Sequence, residues 1–190
     1  MTDKKFLSYC QKVISNFNSL EQLAPTITTI INICETSLKA GGKIIFIGNG
    51  GSAADSQHLA AELVGRYQKD RIAIPALALT TDTSALTAIG NDLGYEKIFS
   101  RQLEALAKKG DILFALSTSG NSANILHAIA TAKNIGMVVI GMTGSSLDSK
   151  INHLCHHLIN APSSQTNHIQ EMHIAIGHFI CGMLEEKLSS

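Results

Sequence analysis

The chain contains no tryptophan, has only three prolines among 190 residues, and carries no surplus of either charge, its 15 Lys and Arg balancing 15 Asp and Glu. That balance excludes the basic field by which most nucleic-acid binders are recognised, so no nucleic-acid partner is expected. Any anionic ligand has to be held by local donors rather than by the field of the whole molecule. No apolar run approaches the roughly 18–20 residues needed to cross a bilayer, and the N-terminal MTDKKFLSYCQKVISNF holds no apolar leader segment. Cys10, Cys34, Cys155 and Cys181 are scattered and make no C-x-x-C pair, which reads as free thiols rather than a disulfide framework. These absences describe a soluble cytoplasmic protein with no membrane partner. What is present is 45% hydrophobic residues in a chain long enough for one domain with a sizeable core.

Residues from about 3 to 40 read as helical, with Phe6, Cys10, Val13 and Ile14 at helical spacing, Pro25 near the start of a second stretch, and Gly41-Gly42 as its stop. Such an amphipathic pair either meets another subunit or covers the sheet. A rhythm of short apolar runs and helical patterns then begins. KIIFIG, PALAL (Pro75 to Leu79), DILFAL (Asp111 to Leu116), MVVIGM (Met137 to Met142) and a weaker HLCHHLI (His153 to Ile159) are the strand candidates. Helical patterns follow from Ser52 to about Val64, in TSALTAIG and YEKIFSRQLEALAKKG, and from about Ser122 to Asn134. One long helix closes the chain from about 165 to 188. Apolar strands alternating with helices imply an α/β fold, a mostly parallel sheet with helices on both faces in a Rossmann-like three-layer sandwich. With no linker or low-complexity segment, residues 1–190 read as one domain with an α/β core at about 43–160.

Two of the strands end in loops of one chemistry, GNGGS (Gly48 to Ser52) and STSGNS (Ser117 to Ser122), and both lead straight into a helix. The carboxyl end of a parallel strand is where open α/β sheets bind ligands. Glycine admits close backbone approach, free N–H groups at the helix start favour an anion, and hydroxyls add donors without charge. Such density of Ser and Thr suits a phosphate. Gly48-x-Gly50-x-x-Ala53 formally satisfies a dinucleotide fingerprint, but no acidic residue ends the second strand and Asp70 lies in the wrong context. No Gly-Lys-Ser/Thr follows the glycines, so this is not a P-loop.

His58 and Glu62 stand at i and i+4 on the helix that leaves the first loop, about 5–6 Å apart on one face. Leu59 and Leu63 mark the neighbouring face as partly buried, a setting in which a carboxylate is tuned as a base. The last helix carries Gln170, Glu171, His173 and His178. Gln170 stands about 80° around the helix from His178, and Glu171 is better aligned with it, so spacing alone leaves both as partners. HLCHHL alternates Leu154, His156 and Leu158 against His153, Cys155 and His157 if it is a strand, and nothing nearby completes a four-ligand zinc set. His127 and His168 read as solvent-facing.

GNGGSAADSQHLAAELVGRY, TAIGNDLGY, STSGNSANIL and IQEMHIAIGHFIC together resemble the sugar-isomerase (SIS) domain and, within it, the phosphoheptose isomerase family. The resemblance spans nearly the whole chain. STSGNS alone would mark any phosphosugar SIS domain; the H-x-x-x-E helix with Q-E-x-H-x-x-x-x-H separates this branch. It implies an aldose–ketose isomerase that converts sedoheptulose 7-phosphate to D-glycero-D-manno-heptose 7-phosphate through an enediol, the first step toward the heptose of lipopolysaccharide or other surface glycans. It implies a homotetramer with sites built between subunits. By resemblance, Ser117, Thr118, Ser119 and Ser122 hold the phosphate, and Asn49, Gly50, Gly51, Ser52, Asn91 and Asp92 contact the sugar along with Glu62 and Gln170. Glu62 and His178 match the acid/base pair, and His58, Glu62, Gln170 and His178 match the ligands of one zinc per subunit, which favours Gln170 over Glu171. The alternative is a non-catalytic SIS protein that binds the bacterial replication initiator; that relative lacks the Glu and the last His, and this chain has both.

Overall fold

The structure, a computed structural model, describes residues 2–189. The β-branched and apolar runs pair as five parallel strands: β1 (Ile44–Gly48), β2 (Ala76–Ala78), β3 (Ile112–Leu116), β4 (Val138–Thr143) and β5 (His157–Asn160), in the order β2-β1-β3-β4-β5. Parallel neighbours need crossovers, which the helices supply. They are α1 (Thr2–Asn18), α2 (Ala24–Lys39), α3 (Gly51–Val64), α4 (Thr83–Leu93), α5 (Ser100–Leu106), α6 (Ala123–Ile135) and α7 (Thr166–Leu188). Pro25 falls in the first turn of α2, where its missing N–H costs nothing.

The period-2 alternation of the strands divides the core in two. Ile44, Phe46, Ile112, Phe114, Ile140 and Met142 face α2, α3 and α7. Ile45, Ile47, Leu113, Ala115 and Val139 face α5 and α6. Phe46 and Phe114 are direct partners across β1 and β3, their rings stacked with centroids 5.2 Å apart. At the lower end of the sheet Asp111 is fully buried and accepts from the backbone N–H groups of Lys43 and Lys108 and from Lys43 Nζ. One carboxylate thus fixes the starts of both central strands. No helix among the described residues is long and apolar enough to cross a membrane.

The fifth strand differs from its expected extent. Lys150–His153 forms a 3₁₀ turn and β5 begins only at His157, so the strand alternation expected for His153 to His157 does not exist. The His156 ring instead serves the neighbouring strand, its Nδ1 accepting from the Val139 N–H at 2.9 Å.

Candidate active site

The strand order reverses between β1 and β3, since the chain runs outward to β2 from one and to β4 from the other. Such a switch point leaves a crevice at the carboxyl ends of the two strands. Both Gly/Ser loops open into it, because one follows β1 and the other follows β3. They are joined by a reciprocal amide pair: Asn49 Nδ2 donates to Asn124 Oδ1 at 2.9 Å, and Asn124 Nδ2 donates to Asn49 Oδ1 at 2.8 Å. The Tyr95 hydroxyl donates to the same Asn49 oxygen at 3.4 Å. Asn49 is therefore the hinge pin of the crevice as well as an expected sugar contact.

In the second loop the hydroxyls are already organised. Ser117 Oγ accepts from the Gly120 N–H and donates to Ser122 Oγ, and Ser119 Oγ accepts from the Asn121 N–H. Ser122 is the N-cap residue of α6. A cavity of about 330 Å³ opens beside this loop, its walls including Thr118, Ser119, Asn121, Ser145, Ser163 and Thr166. Its lining offers hydroxyl and amide groups without a single formal charge, as expected for a polar ligand in a chain of zero net charge.

The reactive groups come from α3 and α7, which pack together. His58 Nε2 lies 3.1 Å from Glu62 Oε1 and 2.8 Å from His178 Nε2. One ligand atom from each of His58, Glu62 and His178 falls within 4.8 Å of the others. At that distance one ring donates its N–H to the other's lone pair, so both nitrogens are aimed at the same point. Two imidazole nitrogens and a carboxylate oxygen are donors that suit zinc, so these residues fit the expected ion. His58 is half exposed and Glu62 one-fifth exposed, leaving the triad open to a ligand.

The structure separates Gln170 from Glu171. The Gln170 amide lies against Gly51 so closely that a Cβ there would meet its nitrogen at 2.6 Å and its oxygen at 2.7 Å. Gln170 therefore reaches the first loop, and a side chain at 51 would displace its amide. Glu171 turns the other way: it accepts from the Tyr9 hydroxyl of α1, and its Oε2 lies 2.8 Å from His168 Nδ1. Burial pushes that carboxyl up, but the hydrogen bonds from Tyr9 and His168 outweigh it and hold it below its usual range.

His168 is accordingly buried, 3% exposed, contrary to the expected solvent-facing position; α1 and its Tyr9 ring, 5.1 Å from the imidazole, cover it. His127 is exposed as expected. His173 is a packing residue, its Nε2 3.2 Å from the Thr143 carbonyl. Asn91 and Asp92 lie at the exposed end of α4, where the Asn91 amide donates to Asp92 at 2.7 Å.

Three site neighbours have no sequence counterpart among the expected residues. Asn124 pairs with Asn49; the signal was the second asparagine of STSGNSAN. Tyr67 stacks on His178 with ring centroids 5.8 Å apart. Asp55 precedes His58 by three residues on α3, its Oδ2 is buried without a hydrogen-bond partner, and burial pushes its carboxyl up to about 6.

Residues 8–144 match the SIS domain family, which defines the class of this α/β sandwich. The chain is 53% identical over 183 residues to the phosphoheptose isomerase of Rhodospirillum rubrum, covering 96% of this chain and 97% of that protein. It is 52% identical over 176 residues to that of Akkermansia muciniphila, covering 93% of each. Solved phosphoheptose isomerases from Neisseria gonorrhoeae and Francisella tularensis superpose with TM-scores of 0.92 and 0.94 at 39% and 32% identity, each over 98% of this chain and over 100% and 99% of those chains. The chain belongs to the phosphoheptose isomerase family of SIS-domain proteins.

Proposed function

We propose that this chain interconverts sedoheptulose 7-phosphate and D-glycero-D-manno-heptose 7-phosphate, an aldose–ketose isomerisation that supplies heptose for lipopolysaccharide or other surface glycans. The observation that carries the reading is the meeting of His58, Glu62 and His178 within 4.8 Å, on helices that also reach the first of two Gly/Ser loops at the sheet's switch point. Relatives of about 50% identity over nearly the whole chain carry the phosphoheptose isomerase name.

In this reading Ser117, Thr118, Ser119 and Ser122 hold the phosphate through neutral hydrogen bonds and the N-terminus of α6. Asn49, Gly50, Gly51, Ser52, Asn91, Asp92 and Gln170 orient the open-chain sugar. Glu62 removes the C1 proton of the ketose and returns it to C2, while His178 moves the hydroxyl proton between the two oxygens. The step is balanced within the sugar: one C–H and one O–H break, and one of each forms. His58, Glu62, Gln170 and His178 would hold a zinc ion, which when bound polarises a substrate oxygen. The chain acts as a cytoplasmic homotetramer, and the exposed Phe6, Leu7, Ile14 and Phe17 of α1 support a subunit contact.

The test is an NMR assay of purified protein with sedoheptulose 7-phosphate. The aldose anomeric proton signal should grow with time. Its absence, together with tight binding to a replication initiator, would support the non-catalytic reading instead.

A further inference from the structure

Just beyond the triad lies a buried ion pair that the reaction itself does not use. The side chains of Arg71 and Glu185 are each 2% exposed, with Nε to Oε1 at 3.2 Å. Glu185 stands seven residues after His178 and so on the same side of α7. Its carboxylate accepts from three successive backbone N–H groups, those of Tyr67, Gln68 and Lys69, each at 2.9 Å. Burial raises the Glu185 carboxyl, and these three donors with Arg71 more than reverse that, holding it ionised. The Arg71 guanidinium donates to the carbonyls of Glu62 and Leu63, both at 2.8 Å, and of Gly65 at 3.2 Å. It therefore caps the last turn of α3, the turn that carries Glu62, where a cation complements the helix dipole.

The segment between these anchors returns to the site. The Tyr67 ring lies over Gly182, where a Cβ would come within 3.1 Å of its Cε1, and stacks on the His178 imidazole at an interplanar angle of 30°. Its backbone is held by Glu185, so the ring has a fixed base from which to limit His178.

We propose that Tyr67 is a positioning residue for His178, set by the Glu185–Arg71 pair, which locks α7 to the end of α3 and keeps the His178 imidazole turned toward His58 and Glu62. The inference rests on the site proposed above. Contacts outside the ligand set fix ring orientation, and losing an aromatic stack costs about 2–10-fold in an equilibrium or a rate.

The test compares wild type with Tyr67→Leu and Tyr67→Phe. Zinc binding to the metal-free proteins is measured by calorimetry, and kcat and KM are measured on sedoheptulose 7-phosphate. Tyr67→Leu should weaken zinc binding and lower kcat about 2–10-fold while KM stays near that of wild type, because no phosphate or sugar contact is touched. Tyr67→Phe should restore both. Unchanged zinc affinity and kcat in Tyr67→Leu would overturn the proposal, as would a Tyr67→Phe protein as impaired as Tyr67→Leu, since the hydroxyl and not the ring would then matter. A nuclear Overhauser contact between the Tyr67 and His178 ring protons of the wild type is required whether or not the leucine variant folds, and its absence overturns the stacking. Wild-type protein that binds zinc without turning over the sugar overturns the proposed activity and leaves the calorimetric comparison intact.

Discussion

Glu62 is asked to serve as base while its Oε1 lies 3.1 Å from His58 Nε2. Glu62→Gln keeps the shape and removes the charge, so turnover should fall about 10²–10⁴-fold with an unchanged unfolding midpoint; retained turnover would remove Glu62 from the mechanism. Asp55 is the opposite case, a carboxylate held against its preference. Its folded pKa, near 6, lies above the ordinary 3.8 because burial disfavours the charge. The folded state then binds more protons than the unfolded chain between those values, so the charge costs stability progressively as pH rises to about 6. Asp55→Asn should therefore unfold at a higher temperature than wild type at pH 7, with the advantage shrinking as pH falls from 6 toward 4. An equal midpoint at pH 7 would contradict the burial argument. The placing of His58 beside Glu62 was readable from an i, i+4 spacing on the helix that leaves a glycine loop. Spacing alone leaves Gln170 and Glu171 open; what separates them in the structure is Tyr9 of α1, far away in sequence, which engages Glu171.

At the scale of elements, the crevice depends on two loops that the sequence separates and the amide pair joins, Asn49 standing 75 residues before Asn124. Removing one partner strands the other's amide, so a double-mutant cycle with Asn49→Ala and Asn124→Ala should give a coupling of roughly 1 kcal/mol. Urea unfolding of the four proteins measures it, and additive effects would show that the loops are held independently. Strands, loops and helices were legible because β-branched runs and Gly/Ser clusters are local signals. The fifth strand is shorter than its pattern implies, because His153 to His157 carries an alternation that a 3₁₀ turn interrupts. The burial of His168 escaped for a related reason: a helix far away in sequence covers it.

For the whole molecule, the alternation of strands and helices announced a parallel sheet, but the order β2-β1-β3-β4-β5, and with it the crevice, is a property of long-range pairing that no local pattern encodes. Acid should loosen the assembled core. His173 is buried and its pKa is pushed down to about 4 by desolvation, the Thr143 carbonyl only partly opposing this. The unfolded chain then binds the extra proton between about 6.5 and 4, so stability present above 6.5 is lost as pH falls through that window, on the order of 3 kcal/mol in all. Denaturant titrations at pH 7 and pH 4.5 should differ in this sense, and equal stabilities would contradict it. On the outer surface, the exposed Phe6 and Ile14 of α1 test the proposed tetramer: Phe6→Asp with Ile14→Asp should lower the sedimentation coefficient, and an unchanged value would contradict a subunit contact through α1. The meeting of His58 with His178 closes 120 residues of chain. Closing so long a loop is slow compared with forming helices and local strand pairs. During refolding, turnover should thus lag behind the recovery of helical signal, because a chain whose last helix has not yet docked holds Glu62 and His178 apart.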